Sequence, residues 1–240
     1  MAITKVATPP KTTAAAVTTA DGGSGDRRIE FSRSLVVLSD PNGVQAEAIR
    51  AVRTHVMAQH INRGRRALAI CAPSRGVGCT FTATNLAVAL SRIGVRTLLI
   101  DGDLREPGVH QLIRPRQGYT GGLAHCLEAV DSSFADQIDA EVVPGLSIIY
   151  AGKGALDPQE LLASDRFKAL IEFCLREFDV TIIDTPPSNI SSDARQVSSV
   201  VGYSLIVTGR DQTFIEDVKT LAGQLEGVHA KVIGTVLNKA

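Results

Sequence analysis

Short apolar runs alternate with amphipathic segments along most of the chain. The runs lie within the stretches ALAICA, VRTLLIDG, LSIIYAG, DVTIIDTPP, YSLIVTG and KVIGTVLN. Such nearly continuous apolar runs are typical of strands that are buried on both faces of a sheet. Because helical segments separate them, the pattern predicts an α/β fold with a doubly wound, mainly parallel sheet in a three-layer sandwich.

Helical periodicity is clear in several of the intervening segments. In NGVQAEAIRAVRTHVMAQHI, the residues Ile49, Val52, Val56 and Ile61 recur at helical spacing after a turn signal. The stretch FTATNLAVALSRIG predicts a second helix that closes at Gly94. PQELLASDRFKALIEFCLREF and TFIEDVKTLAGQL predict further helices between the later strands.

The composition of the chain changes near residue 35. Residues 1–34 are rich in Thr, Ala, Gly and Pro and contain few large apolar side chains. Burial of so little apolar surface does not offset the entropy of ordering, so we predict a disordered arm over residues 1–34. Residues 35–240 are enough for one large domain.

Charge and cysteine usage restrict the classes of function. The chain has 25 basic and 25 acidic residues, which argues against a protein that holds nucleic acid by bulk electrostatics. No apolar run is long enough to cross a bilayer, so we expect no direct membrane insertion. The four cysteines lack paired spacing and no secretory signal is recognisable, which favours reduced thiols in the cytoplasm.

A glycine-rich stretch, APSRGVGCTFTATNLA, follows the first of these runs and leads into a helix. In a phosphate-binding loop, backbone amides and a helix N-terminus hold the phosphates, a lysine reaches the outer ones, and a hydroxyl helps to hold Mg²⁺. Gly76, Gly78 and Thr80 match the glycine and hydroxyl positions, whereas Pro73 and Cys79 replace the first glycine and the lysine. Taken alone, the stretch fits a tight strand-to-helix turn equally well.

Three aspartates follow predicted strands. Asp101 and Asp103 lie two residues apart after one strand, and Asp184 ends another. Side chains at this spacing project from one edge toward a common point, and Mg²⁺ takes one or two carboxylates beside its waters. A single aspartate would more often be a solvated strand end or a helix cap. Three of them beside a glycine loop favour a site for metal and catalysis.

With these motifs in place, the span from about residue 40 to residue 240 resembles the cytoplasmic domain of bacterial tyrosine kinases (BY-kinases), P-loop ATPases of the MinD/ParA class. TATNLAVALSRIGVRTLLIDGDLREP is similar to the loop helix and to the second aspartate motif, hhhDxDxR, at Asp101, Asp103 and Arg105. AGKGALDPQELLAS resembles the family's G…NPxELL.S segment, with Asp157 in place of Asn. FDVTIIDTPPSNISSDA resembles the Walker B strand that carries Asp184.

The resemblance implies ATP or ADP and Mg²⁺ as cofactors. GTVLNK looks like the terminal strand, in which Asn238 matches a position that often lies near the base. Thr80, Asp101 and Asp103 would hold Mg²⁺, and Asp101, Asp103 and Asp184 would be the catalytic set. The residues expected to contact the nucleotide are Arg75, Gly76, Val77, Gly78, Cys79, Thr80, Phe81 and Asn238.

The first helix adds a motif for assembly. EAIRAVR fits the family's E-x-x-R-x-x-R pattern at Glu47, Arg50 and Arg53, which joins neighbouring kinase subunits in a ring. Spacing of three places these side chains along one helical face. Without the resemblance a solvated face with intrahelical pairs is the simpler interpretation; with it, we expect a homo-oligomer or docking on a related subunit.

Two departures from the family bear on activity. Cys79 replaces the lysine that should bridge the phosphates, and Arg75 in the same loop could supply part of the charge or be solvated. The tyrosine cluster of autophosphorylating members has no counterpart, since the tyrosines are Tyr119, Tyr150 and Tyr203. Loss of the cation should reduce phosphoryl transfer more than binding, because transfer depends on electrostatic stabilisation of the transition state.

The leading hypothesis is a BY-kinase-like subunit of an exopolysaccharide or capsule synthesis and export system, with weak or no ATP turnover. It would partner a Wzz-like membrane chain-length regulator and lie at the inner membrane through that partner. One alternative is an active ATP-dependent protein-tyrosine kinase. A MinD/ParA-type positioning ATPase is less favoured, because Ser74 stands where that class has an extra lysine and no amphipathic helix follows the last strand.

Overall fold

The computed structural model describes residues 3–7, 29–116, 119–129, 131–153 and 155–239. Within these residues, eight strands form one sheet. The strands are β1 (Ile3–Ala7), β2 (Ala67–Cys71), β3 (Thr97–Asp101), β4 (Asp139–Val143), β5 (Leu146–Ile149), β6 (Val180–Asp184), β7 (Tyr203–Gly209) and β8 (Lys231–Lys239).

The order across the sheet is β1-β8-β7-β2-β6-β3-β5-β4. Every neighbouring pair is parallel except β4 and β5. The central strands β2, β3 and β6 are buried along their whole length, as their continuous apolar sequences require. The predicted doubly wound, mainly parallel fold is therefore confirmed.

Helices cover both faces of the sheet. They are α1 (Val36–Ser39), α2 (Val44–Gln59), α3 (Cys79–Ser91), α4 (Val109–Leu112), α5 (Leu123–Glu128), α6 (Pro158–Ala163), α7 (Asp165–Glu177), α8 (Asp193–Val201) and α9 (Ile215–Gly227). One core contains residues of α1, α2 and α3, and the other contains residues of α5 to α9. The sheet thus separates two hydrophobic cores, which gives the predicted three layers.

Local capping divides the helical stretch after β5 into two helices. The Asp157 side chain accepts a hydrogen bond from the Glu160 amide at the start of α6, and Pro158 follows at the first helical position. The Ser164 hydroxyl accepts from the Phe167 amide and begins α7. Aspartate and serine are both good N-caps, which explains why Asp157 serves in the position where the family has Asn.

The N-terminal segment differs from the prediction of a disordered arm. Residues 3–7 form β1, which pairs in parallel with β8 at the edge of the sheet. Near residue 30, Phe31 forms a bridge with Ile113, and the Ser32 amide donates to the Leu112 carbonyl. Both contacts are made by backbone hydrogen bonds, which do not require the large apolar side chains that this segment lacks. The rest of the proposed arm, residues 1–2 and 8–28, lies outside the described residues.

Strand β4 was also not predicted. Its sequence, DAEVV, is not a continuous apolar run, and its middle residues are exposed. It runs antiparallel to β5 at the edge of the sheet. An edge position explains the polar sequence, because an edge strand is not enclosed by neighbours on both sides.

Candidate functional site

The loop between β2 and α3 has the backbone form of a phosphate-binding loop. Gly76 and Gly78 adopt left-handed conformations, with φ of 78° and 89°, and Gly78 is the N-cap of α3. A left-handed backbone costs little only for glycine. The first amides of α3 have no partner within the helix, so with the helix dipole they form an anion-binding terminus.

A residue at the carboxyl end of β8 anchors this loop. The Asn238 Nδ2 at the end of β8 donates to the Val77 carbonyl over 2.9 Å. The Val77 side chain is buried, and so is that of Phe81, which belongs to the core. Of the predicted nucleotide contacts, Val77 and Phe81 could therefore reach a nucleotide only through backbone groups, because both side chains are buried in the core. The amide group of Asn238 binds the loop, a role that the sequence did not indicate.

Cys79 directs its thiol toward the ends of two strands. Its Sγ donates to the Ile70 carbonyl at 3.2 Å and lies 3.7 Å from the Thr185 carbonyl. Burial raises the pKa of the Cys79 thiol well above its ordinary value, and the carboxylate of Asp184 raises it further. The position of the expected lysine is thus occupied by a neutral group.

Arg75, the other candidate cation, is engaged with an acidic partner. Its guanidinium forms an ion pair with Glu106 at 2.6 Å, and both side chains are more than half exposed. The pair joins the phosphate loop to the segment after β3. In this arrangement the charge of Arg75 is partly neutralised by Glu106.

Asp101 and Asp184 lie side by side at the ends of β3 and β6, where they are register partners. The close approach of the two strand ends depends on Gly102. Its amide donates to the Asp184 carbonyl at 2.9 Å, and a Cβ at this position would lie 2.6 Å from the same oxygen. The sequence DGD therefore has glycine between its aspartates for a steric reason.

The two carboxylates differ in their hydrogen bonds. Asp101 Oδ2 accepts from the amides of Gly108 and Val109 at 3.1 and 3.0 Å. Asp184 is completely buried, and neither of its carboxylate oxygens has a partner in hydrogen-bonding geometry among the described residues, although the Thr80 hydroxyl and the Cys79 thiol lie close to them. Asp184 is therefore the carboxylate that needs a ligand.

Burial changes the acidity of both groups. Desolvation, and then the neighbouring Asp184, raise the pKa of Asp101 to about 8. Desolvation also raises the pKa of Asp184 to about 7, although the nearby Thr80 hydroxyl and Cys79 thiol act in the opposite direction. A cation bound between these carboxylates would favour their charged forms.

Asp103 turns back along its own chain. Its Oδ1 accepts from the amides of Arg105 and Glu106 at 3.1 and 2.9 Å. Thr80 lies beside the carboxylates, since its hydroxyl lowers the pKa of Asp184. Thr80 also lies next to Gly108, whose amide donates to Asp101. Of the three predicted Mg²⁺ ligands, Thr80 and Asp101 thus lie with Asp184. Asp103 is near enough for its charge to raise the pKa of both Asp101 and Asp184, but one of its carboxylate oxygens is held by the turn that follows β3.

The residues present fit a hydrated Mg²⁺ ion. No cluster of three or more His, Cys, Asp or Glu side chains suited to a metal occurs in the part of the chain that the structure describes. Mg²⁺ does not need such a cluster, because it retains several waters and takes one or two carboxylates together with phosphate oxygens. The unpartnered oxygens of Asp184 and the adjacent Thr80 hydroxyl are donors of the required type.

Sequence reasoning missed the partner of Arg105. The Arg105 Nε and Nη2 atoms bind the two carboxylate oxygens of Asp193 at 2.7 and 3.3 Å. Asp193 is fully buried at the start of α8. The bidentate pair fixes the segment after β3 against α8. The only signal in the sequence was an aspartate at a helix start, which is typical of a cap and does not point to Arg105.

The E-x-x-R-x-x-R residues lie on α2 and already have contacts within the chain. Arg50 forms an ion pair with Glu47 at 2.6 Å and donates to the Pro41 carbonyl. Arg53 donates to the Ala89 carbonyl near the end of α3 at 3.3 Å. Glu47 is exposed, and Arg50 and Arg53 are half-buried.

Comparison with known proteins agrees with this geometry. The AAA domain family matches residues 65–233. The chain belongs to this family of P-loop ATPases, and its relatives are bacterial tyrosine kinases. It is 29% identical over 205 residues to the putative tyrosine-protein kinase CapB of Staphylococcus aureus, covering 85% of this chain and 89% of CapB. It is 31% identical to the tyrosine-protein kinase ptk of Acinetobacter johnsonii over 85% of this chain, which is only 27% of ptk.

Solved structures of related proteins are also similar to this chain in fold. The chimerical protein CapA2B2 is 30% identical, with a TM-score of 0.76 over 85% of this chain and 89% of the chimera. The kinase domain of the Escherichia coli tyrosine kinase ETK is 28% identical, with a TM-score of 0.75 over 85% and 78% of the two chains. The cell division ATPase MinD of Pyrococcus furiosus, at 24% identity and a TM-score of 0.59 over 72% and 71%, shares the fold.

Proposed function

We propose that this chain is a BY-kinase-like subunit of an exopolysaccharide or capsule synthesis and export system, with weak or no ATP turnover. The single observation that supports reduced turnover is Cys79. Its thiol is neutral and binds backbone carbonyls, in the position where the family uses a cation. The names of relatives such as CapB and EpsB support the link to capsule and exopolysaccharide.

Nucleotide binding rests on the parts of the site that are retained. The amides at the start of α3 would hold the phosphates, with Thr80 and Asp184 beside the metal and Asp101 next to them. Mg²⁺ would neutralise phosphate charge when bound. Asp184 would bind the ion directly or through water, and Asn238 would keep the loop in place by holding Val77.

Replacement of the lysine by Cys79 is expected to weaken phosphate binding or transfer strongly, because it removes a positive charge. A unit charge about 4 Å from a phosphate charge contributes roughly 4 kcal/mol at an effective dielectric constant near 20. At about 1.4 kcal/mol per tenfold, this is close to three decades in affinity or rate. Arg75 would recover only part of it, because Glu106 competes for the guanidinium.

The tyrosines also favour a role outside autophosphorylation. Tyr150 is buried, and the Tyr119 hydroxyl donates to the Gln137 carbonyl. Tyr203 is half-buried beneath the guanidinium of Arg65. We therefore propose that the chain acts in assembly or regulation, as a partner of a Wzz-like membrane subunit and as a homo-oligomer through Glu47, Arg50 and Arg53. No described helix is both long and apolar enough to cross a membrane.

An active ATP-dependent tyrosine kinase acting on another protein is the second candidate. The observation in its favour is the retained acidic set, since Asp101 and Asp184 keep their adjacent positions. A protein that had lost all use for Mg²⁺ would gain stability by replacing a buried, unpartnered carboxylate. The fully buried Asp184 is therefore evidence for a bound cation.

The deciding experiment measures ATP and ADP binding, and Mg²⁺-dependent ATP hydrolysis, by the purified chain and by Cys79→Lys, with Cys79→Ser as the matched neutral control. We expect Cys79→Lys to tighten binding by about 10- to 1,000-fold and Cys79→Ser to leave it unchanged. ATP hydrolysis by the natural sequence that Asp184→Asn abolishes would overturn the proposal of weak turnover and support the kinase.

A further inference from the structure

The edge of the sheet where the parallel strands begin, here called the amino edge, is strongly basic. It lies opposite the phosphate loop and the aspartates. Its basic residues are Arg63, Arg65, Arg66, Arg92, Arg96, Arg176 and Lys231, together with His229. Among the described residues, the acidic residues at the starts of these strands are Glu177, Asp179 and Glu226. The chain as a whole has no net charge, so this surplus reflects segregation of charge.

Four of these residues, Arg63, Arg65, Arg66 and Lys231, are here called the basic row. The amides of Arg63 and Arg65 both donate to the His60 carbonyl, at 3.1 and 3.3 Å. Arg65 stacks on the ring of Tyr203 at 4.6 Å, and Tyr203 pairs with Lys231 across β7 and β8. On the other side, the Arg66 carbonyl accepts from the Thr181 amide of β6. Stacking and backbone pairing therefore hold Lys231, Arg65 and Arg66 along the starts of β8, β7 and β2, with β6 on the other side of β2.

The charge of this row is not cancelled within the described part of the chain. None of the four makes an ion pair there with an acidic side chain. Of the acids on this edge, Asp179 binds Arg96 at 3.1 Å. That bond, and more weakly Arg66, lowers the pKa of Asp179. The row thus presents several cations to solvent.

An exposed apolar residue lies on the same edge. Ile93, in the turn between α3 and β3, is 47% exposed, and the exposed Arg92 and Arg96 flank it. Clusters of basic residues are attracted to anionic lipid headgroups, and burial of apolar surface in the interface adds to that binding. A surface for single-stranded nucleic acid would need an accessible ring for stacking, whereas Tyr203 is half-buried under Arg65.

We propose that the amino edge is a docking surface for an anionic lipid bilayer. The basic row binds lipid headgroups by electrostatic attraction, and Ile93 enters the interface. Contact with lipid then places the nucleotide edge away from the membrane, since the two edges are at opposite ends of the strands. The proposal is independent of whether the chain turns over ATP.

The test is co-flotation of the purified full chain with vesicles of phosphatidylcholine, with and without 30 mol% phosphatidylglycerol at about 50 mM salt. We expect binding only to the anionic vesicles and release at about 0.5 M salt, where screening is strong. Each basic residue near an anionic surface strengthens binding by about fivefold. The double variant Arg63→Gln/Lys231→Gln should therefore bind about 25-fold more weakly.

A matched control removes the same charge from positions away from the amino edge. In Arg210→Gln/Lys219→Gln, Arg210 follows the carboxyl end of β7 and Lys219 lies on α9 away from the amino edge; this variant should bind as the natural sequence does. Both residues of the test variant are exposed and make no side-chain hydrogen bond or ion pair with the described residues, so the fold should be unchanged by circular dichroism. Ile93→Ser should give a smaller loss.

Three results would overturn the proposal. The first is failure of the natural sequence to bind anionic vesicles at low salt. The second is an equal loss in the test and control variants, which would indicate a dependence on net charge alone. The third is binding of a single-stranded RNA or a poly-glutamate peptide that requires Arg63 and Lys231 while vesicle binding does not.

Discussion

At the scale of single residues, the site contains a buried carboxylate with no partner and a thiol in place of a cation. Asp184 has no hydrogen-bond partner among the described residues, and Cys79 contributes no charge to balance it. A lysine at position 79 would place a positive charge beside Asp184 as well as beside a phosphate. The same substitution thus has a consequence for stability as well as for binding.

The raised pKa values make stability depend on pH. Burial raises the pKa of Asp184 to about 7 and that of Asp101 to about 8 in the folded chain, against about 4 when unfolded. The folded state therefore binds more protons than the unfolded state between about pH 4 and pH 8. The free energy of unfolding should fall as pH rises through this window.

Asp184→Asn removes that dependence in part, because the amide does not ionise. At pH 8, without Mg²⁺, we expect the variant to be more stable by about 2–4 kcal/mol, measured by urea unfolding from pH 4 to pH 8. Near pH 4 the two proteins should be equally stable. A variant that is less stable at pH 8 would contradict a buried, uncompensated charge at this position.

Part of the residue-level geometry could be predicted from the sequence. Asp101 and Asp184 end apolar strands, and the carboxyl ends of parallel strands meet at one edge, so their proximity followed from the pattern. The partners Asp193 and Glu106 could not be predicted. Each lies in a different segment from its arginine, and no periodicity relates two loops that only the complete fold brings together.

At the scale of elements, the Arg105–Asp193 pair connects the segment after β3 to the start of α8. Asp193→Asn should destabilise the chain by about 1–3 kcal/mol, less than a fully buried pair because Arg105 is 38% exposed. Arg105→Lys should give a similar loss, since lysine cannot form the two-point contact. Urea unfolding provides the measurement.

The control for this pair is Lys168→Gln, which breaks an exposed ion pair with Asp165. We expect it to change the free energy of unfolding by less than about 1 kcal/mol. If both variants had the same small effect, the Arg105–Asp193 pair would be an ordinary surface contact. It would then have no role in fixing the loop that carries Asp103.

The helices and strands that the sequence predicted best are those with a single strong pattern, such as β2, β6 and α2. The elements that were not predicted depend on edge pairing or on helix caps, and not on a continuous apolar run. β1 and β4 are edge strands, and their sequences show no continuous apolar run. Caps at Asp157 and Ser164 divide one helical pattern into α6 and α7, a boundary that periodicity alone does not reveal.

At the scale of the whole molecule, the proposed oligomer depends on α2. If Glu47 of one copy binds Arg50 of a neighbour, the intramolecular pair between them must open on assembly. Because exposed pairs contribute about 0.2–1 kcal/mol each, Arg50→Glu should weaken self-association by about two- to fivefold for each pair lost, measured by sedimentation velocity. The charge-swapped variant Glu47→Arg/Arg50→Glu should recover part of the lost self-association.

The matched control for assembly is Lys168→Glu, which reverses one charge on α7 and leaves α2 intact. Equal weakening by this variant would indicate a nonspecific charge effect. Self-association that is unchanged by Arg50→Glu would remove α2 from the interface. It would leave the intramolecular contacts of Glu47 and Arg50 as a sufficient explanation of the motif.

The contact between Asn238 and Val77 also constrains the order of folding. The two residues are 161 positions apart, and closing so long a loop is entropically costly and slow. The phosphate loop can therefore take its final position only after β8 has added to the sheet beside β7. During synthesis and refolding, competence to bind a nucleotide should emerge after the central strands have paired, as one of the last events of folding.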